Sequence, residues 1–169
     1  MAANATRLPH RGERYRESTP GRLFFADIAG PFPPTTPQRF RYLLVLVDDH
    51  SRFKFAMGIV ARSDAPATIA RFAARWNHYA DSNARITHMS RLHSDAAGEF
   101  RAAAFVDLLS HESIDKTFSP PEVHQANGVA KRAIRTIFSH VRADLEAAGA
   151  PKSFWIYAAN QAGSSRHHQ

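Results

Sequence analysis

Three short runs of strand-forming residues precede the first helical segment of this 169-residue chain. They lie at 22–29, 40–47 and 52–60, and glycine, proline or polar turn residues separate them. The middle run is almost wholly apolar, which is typical of a strand buried on both faces. The third alternates apolar and polar residues, as expected of the second strand of a hairpin. The chain therefore starts with adjacent strands, and helices enter only afterwards.

The rest of the chain alternates helical and strand-like segments. The predicted helices lie at 65–81, 98–112 and 129–148, and the predicted strands at 85–93 and 114–118. Gly149 and Pro151 end the third helix, and the aromatic residues from Phe154 onward indicate a last one. This order predicts an α/β fold with a mixed five-stranded sheet flanked by helices. It is also the plan of an RNase H-like domain.

Composition restricts the kind of partner. The chain has 22 Lys and Arg against 15 Asp and Glu, a formal charge of +7 that favours nucleic acid over a membrane. Cysteine is absent, which excludes disulfides, thiolate zinc sites and cysteine nucleophiles. The N-terminal segment lacks the apolar stretch of a signal peptide, and the longest apolar run, 42–47, is too short to cross a bilayer. We therefore expect a soluble, intracellular protein.

The two ends of the chain differ in composition from its centre. Residues 1–21 are polar and arginine-rich and finish in the turn-forming residues Ser18 to Gly21. We expect a disordered basic arm over 1–21, a core domain over 22–163 and a polar tail over 164–169.

Two aspartates lie inside or at the end of predicted strands. Asp27 lies inside an apolar strand, where a carboxylate is costly unless it is paired, hydrogen-bonded or bound to a metal. Asp95 ends a strand just before a helix, a common place for ligand-binding groups. Each has a structural alternative, because Asp27 could cap the turn at Gly30 and Asp95 could cap the helix that follows it. Glu99, one turn later, could simply stabilise the dipole of that helix.

Lys131 lies on the predicted buried face of the helix at 129–148. Apolar side chains follow it at helical spacing, and this stripe should pack on the sheet; its members are Ile134, Phe138, Val141 and Leu145. Lys131 either extends its ammonium to water or directs it into a polar site beside the sheet. Further cations lie mostly off the stripe, where they suit either phosphate contacts or a solvated face; they include Arg132, Arg135, His140 and Arg142.

Five stretches of this chain, taken together, resemble the integrase catalytic core of copia-type LTR retrotransposons, a branch of the retroviral integrase superfamily. They occur in the family order and cover about residues 18–163. The stretches are FADIAGP at 25–31, VDDHSR at 47–52, HSDAAGEF at 93–100, QANGVAKR at 125–132 and GAPKSFW at 149–155.

The resemblance implies an RNase H-like fold and a site of two Asp and one Glu that hold two Mg²⁺ or Mn²⁺ ions for DNA 3′-processing and strand transfer. By this match Asp27 and Asp95 are the first two catalytic carboxylates and the metal ligands. Lys131 takes the place of the third, where its ammonium can pair with the aspartates and compete with a metal. The residues implied to contact DNA are Gln125, Asn127, Arg132 and Arg135.

We therefore expect a nuclear, integrase-like core that binds DNA and has impaired catalysis, because Lys131 replaces the third carboxylate. Its expected partners are retroelement ends and target DNA, with a homodimer as a further option. One alternative is an active metal-dependent polynucleotidyl transferase that uses Glu99 or Glu122 instead. Another is a non-enzymatic DNA-binding or dimerisation module, or a retrotransposon relic.

Overall fold

The strands and helices follow the order expected from the sequence. The computed structural model describes residues 16–95, 98–118 and 128–164. The strands are β1 (Leu23–Ala29), β2 (Tyr42–Asp48), β3 (Lys54–Ile59), β4 (Arg91–Ser94) and β5 (Asp115–Phe118). The helices are α1 (Ala65–Asp81), α2 (Gly98–Arg101), α3 (Ala103–His111), α4 (Gly128–Ala147) and α5 (Trp155–Ser164), with short 3₁₀ turns at Arg62–Asp64 and Lys152–Phe154.

The five strands form one mixed sheet in the order β3-β2-β1-β4-β5. The first three strands pair antiparallel, and β1, β4 and β5 run parallel. Antiparallel neighbours need only short connections, whereas the parallel strands are reached through helical crossovers, which is why helices appear only after β3. The prediction of an α/β fold with a mixed five-stranded sheet is confirmed.

The two faces of the sheet are covered by different helices. Because side chains alternate along a strand, β1 directs Phe24, Ala26 and Ile28 to the core that includes residues of α1 and α3. The opposite face carries Phe25 and packs on α4 and α5. Asp27 shares the parity of Phe25, so it lies on the α4 side of the sheet.

Helix α4 is rotated relative to the predicted stripe. Its buried residues are Val129, Ala130, Ala133, Ile137 and Val141. The expected members Ile134, Phe138 and Leu145 are only partly buried and pack at the flank of this face. The small side chains of Ala130 and Ala133 let the helix backbone approach the sheet, so the helix packs through the face that carries these alanines. Lys131 is therefore half-buried at the rim of the interface.

Two predicted elements have different bounds in the structure. The strand expected over 85–93 is only four residues long, and the segment before it is a loop tied to α1, where Trp76 Nε1 donates to the carbonyl of Thr87 at 2.9 Å. The helix expected over 98–112 is interrupted at Ala102, whose extended backbone (φ −55°, ψ 126°) separates α2 from α3. Both differences depend on tertiary contacts or backbone geometry that apolar periodicity does not encode.

Residues 16–21 pack against the sheet and do not form part of a separate arm. Glu17 is buried, and its amide donates to Asp49 Oδ2 at 2.9 Å. The amide of Gly21 donates to Asp48 Oδ1 at 2.8 Å. Residues 1–15, the rest of the expected basic arm, lie outside the described part of the chain, and the expected core boundary at residue 22 stays a prediction. At the C-terminal end of the chain, Ser164 is the last residue of α5, and residues 165–169 lie outside the described residues. None of the described helices has the length and apolar character needed to cross a membrane.

The buried carboxylate of Asp48 joins this segment to the β2–β3 turn. Asp48 is 1% exposed and, besides Gly21, accepts hydrogen bonds at Oδ2 from the amide of Ser51 at 2.7 Å and from its hydroxyl at 2.6 Å. We expect Asp48→Asn to lower the free energy of unfolding by about 1–3 kcal/mol, since an amide cannot accept at both ends. Urea denaturation measures this loss. The exposed Asp107→Asn serves as the control, and equal midpoints for the two variants would contradict the assigned role.

Candidate functional site

Neighbouring parallel strands bring Asp27 and Asp95 together. In the register of β1 and β4, Ala26 lies opposite Ser94, and each aspartate is the next residue along its own strand direction. Adjacent strands lie about 4.8 Å apart, so both carboxylates stand at one end of the sheet. Asp95 also acts electrostatically on Asp27, which confirms that the two acids are close. Two residues that are 68 positions apart in sequence thus form one acidic pair.

Asp27 is a carboxylate in an unfavourable environment. It is 8% exposed, and its Oδ1 accepts a hydrogen bond from the amide of Ile28 at 2.9 Å. Burial raises the pKa of Asp27 to about 6 against the lowering effect of that hydrogen bond, and the charge of Asp95 raises it further. The ionised form is therefore destabilised where the strand places it. Of the alternatives weighed for this residue, a simple turn cap does not account for such burial beside a second acid.

Two cations approach the acidic pair from different elements. Lys131, in the first turn of α4, and Arg62, in the 3₁₀ turn before α1, both lower the pKa of Asp27 through their positive charge. Of the two options for Lys131, a polar site beside the sheet therefore accounts for its effect on Asp27. Within the described ranges, two carboxylates and two cations converge on this end of the sheet.

The carboxylate of Glu99 already has a partner. Arg62 donates to Glu99 Oε1 through Nε at 2.8 Å and Nη2 at 2.5 Å, and the Glu99 side chain is only 14% exposed. A carboxylate engaged by a guanidinium fork is poorly available as a metal ligand. Glu122, the other residue considered as a replacement for the missing acid, lies outside the described residues.

Sequence reasoning missed Lys116 on β5. Its ammonium donates to Ser94 Oγ at 2.5 Å and lies over the ring of Phe118, with Nζ 4.2 Å from the centroid. Burial lowers the pKa of Lys116 to about 8, and the charge of Asp95 opposes this shift. The only sequence signal for it was its position on a short strand near the end that also carries Asp95. Lys116 thus adds a further positive charge on the β5 side of the acidic pair.

The residues implied to contact DNA divide into two groups. Arg132 and Arg135 are exposed on α4, one turn or less beyond Lys131. Gln125 and Asn127 lie outside the described residues. The N-terminal part of α4, next to the acidic pair, therefore presents the guanidinium groups of Arg132 and Arg135 to solvent.

The described residues do not fit a two-metal site. Two ions held side by side need several carboxylate oxygens, but here the acidic pair faces the charges of Lys131 and Arg62, and Glu99 is engaged by Arg62. Across 16–95, 98–118 and 128–164 there is no group of three or more His, Cys, Asp or Glu side chains that could hold a metal. The negative charge of the acidic pair, which a metal ion would otherwise balance, is already partly compensated by Lys131 and Arg62.

Curated proteins similar in sequence to this chain are retrovirus-related Pol polyproteins of plant transposons. The one from transposon TNT 1-94 of Nicotiana tabacum is 29% identical over 133 residues, which cover 79% of this chain and 10% of the relative. The one from transposon RE2 of Arabidopsis thaliana is 26% identical over 152 residues, covering 90% of this chain and 10% of the relative. The chain thus spans about a tenth of the length of the curated relatives it matches. No family model matches it.

The fold is similar to that of a solved retroviral assembly. A chain in the cryo-EM structure of the simian T-cell lymphotropic virus intasome in complex with the PP2A regulatory subunit B56 gamma superposes with a TM-score of 0.73. The match has 16% sequence identity and covers 98% of this chain and 55% of that one. The likeness shows the RNase H-like fold. Together with the copia-type Pol homologues, it confirms the resemblance to an integrase core that the sequence motifs indicated.

Proposed function

We propose that this chain is an integrase-related core of a retrotransposon Pol polyprotein that binds DNA and has lost metal-dependent strand transfer. The observation that carries the proposal is the convergence of Asp27 and Asp95 with the positive charge of Lys131. The two acids that the resemblance implies to be catalytic lie near the ends of β1 and β4, and Lys131 has the sequence position at which the resemblance implies the third acid. The integrase relationship itself rests on the homologues and the fold.

Lys131 opposes metal binding in two ways. Its charge attracts the two carboxylates that would otherwise bind a cation, and it repels a divalent ion that approaches them. It also supplies no oxygen ligand, which is what Mg²⁺ and Mn²⁺ require. The residues present can orient and neutralise the acidic pair, but they do not provide the negative charge that a two-ion site needs.

A strand-transfer assay tests the catalytic part of the proposal. With a model DNA end and either Mg²⁺ or Mn²⁺, we expect the wild-type chain to give no product above the level of a protein-free reaction. Asp95→Asn should give the same result. Product formation by the wild type that Asp95→Asn abolishes would overturn the proposal and favour an active enzyme.

The DNA-binding part rests on the exposed arginines of α4. Arg132 and Arg135 lie on the helix that also carries Lys131, and the formal charge of +7 favours a polyanionic partner. Guanidinium groups suit phosphate oxygens because their planar forks donate two hydrogen bonds at once. A duplex lying along α4 would therefore meet its phosphates at these side chains.

Salt dependence measures these phosphate contacts. We expect duplex DNA affinity to fall with salt at a log–log slope of about −0.9 per phosphate contact, and Arg132→Gln/Arg135→Gln to make the slope shallower by up to about 2. Arg41→Gln/Arg101→Gln removes the same charge from other exposed positions and should change the slope less. Equal slopes for the two double variants would remove α4 from the DNA surface, and a flat wild-type response would remove DNA from the partners.

A further inference from the structure

A groove lies between the edge strand β3 and helix α1, away from the acidic pair. Its volume is about 1110 Å³. β3 contributes Phe55 and Met57, and α1 contributes Phe72 and Trp76. These side chains belong to the core face that α1 covers, whereas Asp27 lies on the α4 face. The groove also reaches Asp48, which pairs with Phe24 near the start of β1, whereas Asp27 is near its end. The aromatic side chains of the groove and the acidic pair are therefore on opposite faces of the sheet, and they lie toward opposite ends of β1.

The floor of the groove is aromatic and its rings are tightly engaged with one another. Phe55 meets Phe72 and Trp76 edge to face, at interplanar angles of 61° and 79° and centroid distances of 4.9 and 5.8 Å. Trp76 is fixed further by its hydrogen bond to Thr87. Near the end of α1, Tyr79 also lines the groove and is 55% exposed. This floor offers apolar contacts in a recess, which suits an inserted side chain.

The rim of the groove is positively charged. Arg71 and Arg75 of α1 line it, and neither forms an ion pair with an acid elsewhere in the described ranges. Arg71 and Arg75 are exposed and lie one turn apart on α1, so they repel each other. Asp48 also lines the groove, but it is buried and its oxygens accept from Gly21 and Ser51.

We propose that this groove binds a short acidic peptide segment of a partner protein. One or two large apolar side chains of the peptide enter the recess, and its carboxylates pair with Arg71 and Arg75. Burial of the apolar anchor supplies most of the affinity, while the charges set the choice of partner and its orientation. A carboxylate between Arg71 and Arg75 also relieves their mutual repulsion.

Two other occupants fit the groove less well. A symmetric contact with a second copy of this chain would bring the same cations of both copies together. The phosphates of single-stranded nucleic acid would neutralise the cations, but its bases need accessible ring faces for stacking. The rings of Phe55, Phe72 and Trp76 are packed against one another instead. The acidic peptide satisfies both the charge and the apolar recess.

Selection from a random dodecapeptide library displayed on phage, with the full chain immobilised, tests the proposal. We expect the enriched peptides to carry a net negative charge and at least one large apolar residue. Binding of a fluorescent synthetic copy of an enriched peptide is then measured by anisotropy. Arg71→Glu/Arg75→Glu should weaken binding at least tenfold, and Arg71→Gln/Arg75→Gln should weaken it by a smaller factor.

Matched controls separate the groove from general charge effects. Arg41→Glu/Arg101→Glu changes the net charge equally outside the groove and should leave the peptide affinity within about twofold. Circular dichroism verifies that each variant is folded. Enriched peptides without acidic residues, or equal weakening by both charge reversals, would overturn the proposal. If a twenty-nucleotide oligothymidine displaces the peptide and its own binding depends on Arg71 and Arg75, the groove is assigned to nucleic acid instead. If sedimentation velocity shows a wild-type dimer that dissociates in Arg71→Glu/Arg75→Glu, the groove is assigned to a second copy of the chain.

Discussion

Replacement of Lys131 by glutamate is expected to make the acidic pair bind divalent cations more tightly than it does in the wild-type chain. Without metal, the variant places a third carboxylate near Asp27 and Asp95 and removes a compensating cation, so we expect it to lose about 2–4 kcal/mol of stability. With Mn²⁺ at a hundred times its dissociation constant, binding to the folded state restores about 2.7 kcal/mol. Thermal denaturation with and without Mn²⁺ measures both effects.

Lys131→Gln is the matched control for this experiment. It removes the positive charge without adding a metal ligand, so its melting temperature should respond to Mn²⁺ much less than that of Lys131→Glu. We expect the wild type to respond least of the three. A wild-type melting temperature that rises with Mn²⁺ as much as that of Lys131→Glu would show that Lys131 does not block the site, and the proposed loss of function would fail with it.

Asp27→Asn is expected to stabilise the protein at neutral pH. Burial raises the pKa of Asp27 from its ordinary value of 3.8 to about 6. Between these two values the folded state binds more protons than the unfolded state, so stability falls as pH rises through this window. Above pH 6 the ionised Asp27 lowers the free energy of unfolding by up to about 3 kcal/mol, and the neutral amide of Asp27→Asn avoids this loss. For a chain of this length the gain corresponds to a melting temperature higher by up to about 10 °C.

The pH profile distinguishes this electrostatic origin from a packing effect. The advantage of Asp27→Asn should be greatest near pH 7 and nearly disappear near pH 3, where the wild-type carboxyl is mostly protonated in both states. Asp107→Asn, on the exposed face of α3, should show no such profile. A gain of equal size at both pH values, or a destabilised Asp27→Asn at pH 7, would contradict the assigned environment of Asp27.

These two predictions describe one property of the site. A buried carboxylate that lowers stability at neutral pH is typical of positions kept for chemistry, since desolvated and mutually close acids are what metal sites and catalytic sites use. Here the two acids remain at the strand ends, and Lys131 and Arg62 supply positive charge toward them. The fold is that of an RNase H-like domain, and the proposed loss of catalysis rests on Lys131.

The sequence by itself determined the local elements and their order. Apolar runs, turn residues and helical spacing follow from periods of two and 3.6 residues, which are properties of neighbouring positions. They predicted helix α1 over its full length and the mixed five-stranded sheet. The five integrase-like stretches also predicted that Asp27, Asp95 and Lys131 belong to one site.

Only the tertiary structure decided which groups act on one another. The register of β1 and β4 brings the two aspartates together, and the rotation of α4 about its axis sets how Lys131 faces them. Arg62 reaches the same region from an element whose sequence carries no signal for it, and Lys116 from one whose only signal is its place on a short strand. Asp48 ties residues 16–21 to the sheet across 27 positions. These relations arise from packing between distant segments, and local periodicity contains no information about the alignment of one segment with another.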